Sequence, residues 1–107
     1  MPGFEEMLRQ AQSFATQLSK LKDEIAKQTV VGSSGGGMVK VIATGNGTIT
    51  KVEIEPSVLK SADTEMLQDL IVAAVNQALQ AAKEKMAQAT QSLTGGLSLP
   101  GIGDLLG

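Results

Sequence analysis

The stretch MVKVIATGNGTITKVEIE, residues 38–55, decides the fold because it reads as two strands joined by a tight turn. In its first half Val39, Val41 and Ala43 recur at every second position, which places them on one face of a strand. Gly45–Gly47 contains the Asn-Gly pair that favours two-residue hairpin turns. The second half alternates as well, with Thr50, Val52 and Ile54 on one face and Lys51, Glu53 and Glu55 on the other. The stretch therefore predicts an antiparallel hairpin with one polar face.

The residues before this hairpin predict a long helix. Apolar side chains recur at alternating steps of three and four residues, which is the heptad pattern of a helix seam. They are Phe4, Met7, Ala11, Phe14, Leu18, Leu21 and Ile25. A helix of this length spans roughly 35 Å, more than short strands can cover. Part of its seam must therefore contact another helix, either in the same chain or in a second copy, and both alternatives stay open.

Between helix and hairpin lies the segment GSSGGG, residues 32–37, which predicts a flexible turn after a short first strand at Thr29–Gly32. Gly32 and Gly37 also have the separation of the two glycines in a phosphate-binding loop. Met38 stands where that loop needs a lysine, however, and a strand follows rather than a helix. A flexible connection is therefore the favoured interpretation.

A second long helix follows the hairpin. Pro56 ends the last strand because it cannot donate to a ladder, and Asp63 is suited to cap the helix that continues to about Ser92. Residues 94–107 are rich in Gly and Leu, and we expect them to form a flexible tail. The chain is thus predicted to be α+β, with a long helix, a small antiparallel sheet of about three strands and a second long helix in one domain at residues 1–93.

The composition argues against an enzyme. The chain has no Cys and no His, which removes the commonest general base, thiolate chemistry and the usual transition-metal ligands. We therefore expect no cofactor, no metal site and no small-molecule substrate. The start, Met1–Glu6, lacks the basic and apolar runs of a signal peptide, and no stretch is apolar enough for a membrane span, so a cytoplasmic location is expected.

The nine basic residues are the candidates for contact with a polyanion, although the net charge is −2. Lys20, Lys22 and Lys27 fall late in the first helix, and Lys83 and Lys85 late in the second. Compensation of the helix dipole alone would select this layout, at about 0.3–1 kcal/mol per charge. These five lysines are therefore candidates for DNA contact on the basis of their charge, but their positions do not require that role.

Five segments of the chain resemble the YbaB/EbfC family of bacterial nucleoid-associated proteins. They are RQAQ at Arg9–Gln12, VGSSGGGMVKV at Val31–Val41, VEIEPSVL at Val52–Leu59, EMLQDLI at Glu65–Ile71 and LSLPG at Leu97–Gly101. They cover nearly the whole chain in order. Glu55 and Val58 stand where the family usually has Asp and Leu, and both changes conserve the chemistry.

The resemblance implies an intertwined homodimer in which the hairpins associate centrally and the long helices project outward. It also implies a nucleoid-associated protein that binds duplex DNA with little sequence preference and alters its conformation, with possible roles in nucleoid organisation and gene regulation. By position, Arg9 and Lys40 carry over as DNA contacts. The alternative is an adaptor that docks on another protein through its apolar tail, around Leu97, Leu99, Ile102, Leu105 and Leu106.

Overall fold

The computed structural model describes residues 2–61 and 63–96. Its elements, in chain order, are α1 (Pro2–Lys27), β1 (Thr29–Ser34), β2 (Val39–Thr44), β3 (Ile49–Ile54), α2 (Pro56–Ser61) and α3 (Thr64–Gly96). The protomer is elongated, at 72 × 27 × 17 Å. The prediction of a long helix, a three-stranded antiparallel sheet and a second long helix is confirmed. The tail beyond Gly96, which includes the apolar residues invoked for an adaptor, lies outside the described residues.

The sheet has the order β1-β2-β3, and both pairings are antiparallel. The predicted hairpin forms between β2 and β3, where Gly47 adopts a φ of 88°, a left-handed value that glycine reaches without strain. Its ends are held by a bond of 2.8 Å from the Thr44 amide to the Thr48 carbonyl. β1 is two residues longer than the predicted strand, because Ser33 and Ser34 also belong to it and only Gly35–Gly37 form the turn.

A β-bulge in β3 changes which side chains face the core. Ile42 pairs with Lys51 and Ala43 pairs with Ile49, so Thr50 is the extra residue between them. Residues directly opposite each other in a sheet share a face. Ile49 therefore lies on the same face as Ala43, which the regular alternation of the sequence did not predict.

α3 covers this face of the sheet over β1 and β2. Val39, Val41 and Ala43 are completely buried against Ala74 and Ala78 of the helix. The helix can approach closely because β1 presents Gly32 beneath it, where a Cβ would lie 2.3 Å from both the Ala74 carbonyl oxygen and the Ala78 amide nitrogen. A small residue on the strand and two alanines on the helix thus set the distance between helix and sheet.

α1 and the second half of α3 run side by side in opposite directions. Ser34 at the far end of β1 bonds to the Leu70 carbonyl, whereas Leu21 of α1 shares a cleft with Ala89 and Leu93 near the end of α3. The apolar seam of α1 is buried near its C-terminal end, where Ile25 is 6% exposed, and open near its N-terminal end, where Phe4 is 69% exposed. The same-chain helix therefore covers the C-terminal half of the seam only.

The connection from β3 to α3 contains one element that the sequence did not predict, the short helix α2. Val58 of α2 is buried. Its amide donates a hydrogen bond of 3.0 Å to the Glu55 carbonyl, and this bond lies at the start of the helix, which begins at Pro56. The predicted cap is confirmed, since the Met66 amide donates to the Asp63 carboxylate at 2.7 Å. α3 then continues to Gly96, beyond the expected end near Ser92.

Candidate nucleic-acid interface

Three of the predicted contact residues lie in one row on the outer side of α1. Arg9, Lys20 and Lys27 are separated by intervals that bring them within about 20° of each other around a helix of 3.6 residues per turn. All three side chains are exposed. They lie on the side of α1 away from the apolar seam. Lys20 also lines the rim of the cleft between α1 and α3, where it remains exposed. We call Arg9, Lys20 and Lys27 the basic row; it is roughly 27 Å long at 1.5 Å per residue.

The charge around the basic row is mixed. Arg9 approaches Glu6 at 3.9 Å, with both side chains largely exposed, so this pair contributes little to stability and leaves Arg9 able to turn to a ligand. Neither of the two ion pairs found within residues 2–61 and 63–96 involves Lys20 or Lys27. Acidic neighbours flank the row on α1, namely Glu5, Glu6, Asp23 and Glu24. The row therefore offers a narrow line of cations and not a broad positive surface.

The other lysines on the two long helices do not join this row. Lys22 lies two positions after Lys20 and thus on nearly the opposite side of α1. Lys83 and Lys85 are likewise on different sides of α3, with Lys83 exposed and Lys85 half-buried. Because α3 runs to Gly96, its last turn contains no basic residue, and the expected compensation of the helix dipole by these two lysines is wrong.

Lys40 lies apart from all of these, on the sheet face that points away from α3. It is directly opposite Ser33 of β1 and Glu53 of β3. On the same face Lys51 forms an ion pair of 3.0 Å with Glu53. Lys40 is therefore exposed within a small patch of alternating charge, separate from the basic row.

Sequence reasoning missed a second surface, on the α3 side of β3. Ile49, Val52 and Ile54 share the face of Ala43, Val41 and Val39, yet α3 lies over β1 and β2 and leaves β3 largely uncovered. Val52 stays 42% exposed there. We call Ile49 and Val52 the β3 patch. The apolar alternation of β3 could have suggested it, but only the position of α3 shows that nothing within the described protomer covers it.

Val72 extends the β3 patch onto the neighbouring flank of α3. It lies two helical turns before Leu79, which faces the β2–β3 turn across a groove of about 940 Å³. Val72 is also exposed. An edge strand and one helix flank thus present apolar side chains together, which is typical of a surface that binds another chain.

The groove itself has little that could support catalysis. It is lined by the hairpin turn and by mostly small or apolar side chains of α3 together with Gln91, and Lys83 is its one charged residue. Within the described part of the chain no cluster of acidic residues is arranged to hold a metal ion. No helix within the described residues has an apolar stretch long enough to cross a membrane.

Comparison with known proteins finds a matching family, relatives of similar sequence and a solved structure of similar fold. Residues 1–97 match the model of the YbaB/EbfC DNA-binding family. A protein from Thermoanaerobacter pseudethanolicus named as nucleoid-associated is 43% identical over 96 residues, covering 90% of this chain and 86% of its own. Another so named, from Moorella thermoacetica, is 40% identical over 102 residues, covering 95% and 98%. The solved structure of an uncharacterized Helicobacter pylori protein matches the fold with a TM-score of 0.74 at 24% identity, covering 85% of this chain and 96% of its own.

Proposed function

Because the chain belongs to the YbaB/EbfC DNA-binding family, we propose that it is a nucleoid-associated protein that binds duplex DNA as a homodimer through the outer side of α1. Its relatives of similar length are named as nucleoid-associated proteins. Membership of a non-enzymatic DNA-binding family also agrees with the expectation, drawn from the missing Cys and His, that the chain is not an enzyme.

The basic row is the observation that carries the proposed DNA contact. Its three cations are exposed and none belongs to the buried core, so a duplex can approach them without disturbing that core, although Lys20 lies at the rim of the cleft with α3. Each cation that neutralises a phosphate releases condensed counterions, and this release drives association even for a protein of net charge −2. Lys40, Lys22, Lys83 and Lys85 are secondary candidates, since each lies on a different surface.

The same surface favours weak sequence preference. Base recognition in the major groove relies on bidentate Arg, Asn or Gln side chains, and the basic row contains the one arginine of the chain, Arg9. The polar side chains beside it, Ser13 and Thr16, are short and suit phosphate contacts better than base contacts. Stacking on unpaired bases needs aromatic rings, and the chain has two, so a duplex is favoured over a single strand.

The β3 patch supports the proposed homodimer. A second copy packed on Ile49, Val52 and Val72 would cover the apolar side chains that α3 leaves open and would protect the free edge of β3. The two sheets would then associate centrally while α1 of each protomer extends away. Two basic rows contacting one duplex at separate points would bend it, which accounts for a change in DNA conformation without base recognition.

Charge reversal tests the DNA contact. Lys20→Glu/Lys27→Glu should abolish retention of a labelled duplex in a mobility-shift assay at low salt, because two of the three cations of the row become anions. The matched control, Lys51→Glu/Lys60→Glu, changes the net charge equally at other surfaces and should retain most of the binding. Equal loss in both variants would refute a contact specific to the basic row.

A matched pair of valine substitutions tests the dimer. Val52→Asp places a carboxylate in the β3 patch and should shift the protein from dimer to monomer in analytical ultracentrifugation at micromolar concentration. Val31→Asp makes the same change at a valine that is also exposed, at 56%, on the opposite face of the sheet, and should leave a dimer. A wild-type chain that sediments as a monomer would refute the proposed assembly.

A further inference from the structure

The N-terminal end of α1 carries an apolar stripe that nothing in the described chain covers. Phe4 and Met7 are each 69% exposed, and Leu8 and Ala11 are exposed beside them. These four residues, which we call the tip stripe, continue the seam whose other end is buried at Ile25. A heptad seam that is packed at one end and open at the other indicates a missing partner along the open end.

The geometry of the two helices defines where that partner must come from. The helices run in opposite directions, and Leu93 of α3 shares a cleft with four residues of α1, namely Gln17, Lys20, Leu21 and Glu24. α3 ends three residues later, at Gly96. Residues 2–14 of α1, about 18 Å of helix, therefore extend beyond Gly96, and the axis of α3 at its C-terminal end points along them.

The segment that follows has the composition of a packing partner. Residues 97–107 contain Leu97, Leu99, Ile102, Leu105 and Leu106, and Asp104 is their one charged side chain. At about 3.3 Å per residue an extended segment of this length reaches more than 30 Å, well beyond the far end of the tip stripe. Pro100 cannot continue α3 as a helix, which favours an extended course.

We propose that the C-terminal segment, residues 97–107, packs on the tip stripe of its own chain, with Leu97, Leu99 and Ile102 against Phe4, Met7 and Leu8. The contact would complete the seam of α1 with apolar residues from a single chain. The proposed contact does not cover Arg9 of the basic row, which lies on the other side of α1 from the tip stripe.

Two other places for this segment are less well supported. The groove beside Met86 is apolar, but the chain would have to reverse direction immediately after Gly96 to enter it. In the proposed dimer the protomers associate through the β3 patch and α1 of each extends away, so the tip stripe of the second copy would lie farther from the end of α3 than the stripe of the same chain. Both alternatives give distinct products in the experiment below.

Disulfide trapping in the full-length chain tests the proposal. The sequence has no native cysteine, so every disulfide must involve an introduced cysteine. Under mild oxidation the pair Met7→Cys/Leu99→Cys should form an intrachain disulfide, detected as a protomer-mass species by non-reducing electrophoresis and mass spectrometry. The matched control is Ser13→Cys/Leu99→Cys. Ser13 is exposed on the opposite side of α1 and is nearer to the end of α3, so a freely moving segment would crosslink to it faster.

The expected result is several-fold more intrachain disulfide at position 7 than at position 13. Equal yields, or a higher yield at position 13, would overturn the proposal. Dimer-mass product from the position 7 pair would overturn it too, since the segment would then cover another chain. A preferential crosslink from Leu99→Cys to Met86→Cys would place the segment in the groove instead and would have the same effect.

Hydrogen exchange gives a second readout that does not depend on cysteine geometry. A helix end without side packing is marginal, so Leu99→Ser/Ile102→Ser should speed amide exchange at residues 6–11 roughly tenfold. Exchange at residues 74–78 in the core should not change, which shows that the fold is intact. Unchanged exchange at residues 6–11 would contradict the proposed contact.

Discussion

Gly32→Ala tests the packing of α3 on the sheet most sharply. A Cβ at this position would lie 2.3 Å from the Ala74 carbonyl oxygen and the Ala78 amide nitrogen and 2.8 Å from the Ala78 Cα, all of them backbone atoms. No side chain can rotate away to relieve this overlap. The helix must therefore move about 1 Å off the strand to restore an ordinary contact, and a gap of that size removes a quarter to a half of the dispersion energy of each contact it opens.

The contacts at risk are those of the fully buried core, where Val41 and Ala43 face the same stretch of α3. Overpacking of a well-filled core costs about 1–3 kcal/mol and occasionally more, and a clash between backbones belongs at the upper end. We expect a loss of about 3 kcal/mol, which for a domain of this size lowers the melting temperature by roughly 12–24 °C.

Thermal and urea unfolding followed by circular dichroism measure this loss, with all variants at one protein concentration because dimerisation would make the midpoint depend on it. Gly3→Ala is the matched control, since a Cβ at Gly3 meets nothing within 4 Å. It lies in a helix, where alanine is favoured over glycine, so stability should stay equal or rise by up to about 1 kcal/mol. A loss below about 1 kcal/mol for Gly32→Ala would refute the close approach of helix and strand.

Three further substitutions have defined outcomes. Asp63→Ala removes the bond to the Met66 amide and should lower the free energy of unfolding by about 1 kcal/mol in urea. Asp69→Ala, at an exposed position later in α3, should lower it by less. Equal losses would contradict the cap. Val41→Ala should destabilise the chain by about 2 kcal/mol and Val31→Ala by far less, because the first is completely buried and the second exposed; calorimetry that ranks them the other way would contradict the assignment of the sheet faces. Arg9→Gln should change stability by less than about 0.5 kcal/mol yet weaken duplex binding in fluorescence anisotropy, and unchanged affinity would exclude Arg9 from the interface.

Local sequence signals predicted much of the fold. The heptad spacing placed α1, the Asn-Gly pair placed the β2–β3 turn, and the Asp63 cap placed the start of α3. Each of these features depends on residues within a few positions of one another. Such features can be recognised from sequence because the interactions that create them are local.

Features that depend on distant residues were not predictable. The bulge that brings Ile49 to the core face arises from pairing with β2. The close packing of Gly32 against α3 depends on a helix far along the chain. The short helix α2 follows a proline, which as a sequence signal marks only the end of the strand.

The candidate interface was predicted as a set of charges but not as a surface. Spacing along the chain grouped Lys83 with Lys85, although helical geometry places them on different sides of α3. The same geometry brings Arg9 into line with Lys20 and Lys27 over two-thirds of α1. The alternation of β3 suggests an apolar face, but the exposure of the β3 patch could not be anticipated, because it depends on how far α3 extends across the sheet.

The salt dependence of duplex binding tests the central claim most directly. A homodimer that places two basic rows on one duplex makes about six phosphate contacts, so the logarithm of affinity should fall against the logarithm of salt concentration with a slope of roughly −5. In Lys20→Gln/Lys27→Gln, which retains Arg9 alone in each row, the slope should shrink to roughly −2. A flat response of the wild-type protein, or an unchanged slope in the variant, would contradict DNA binding through the outer side of α1.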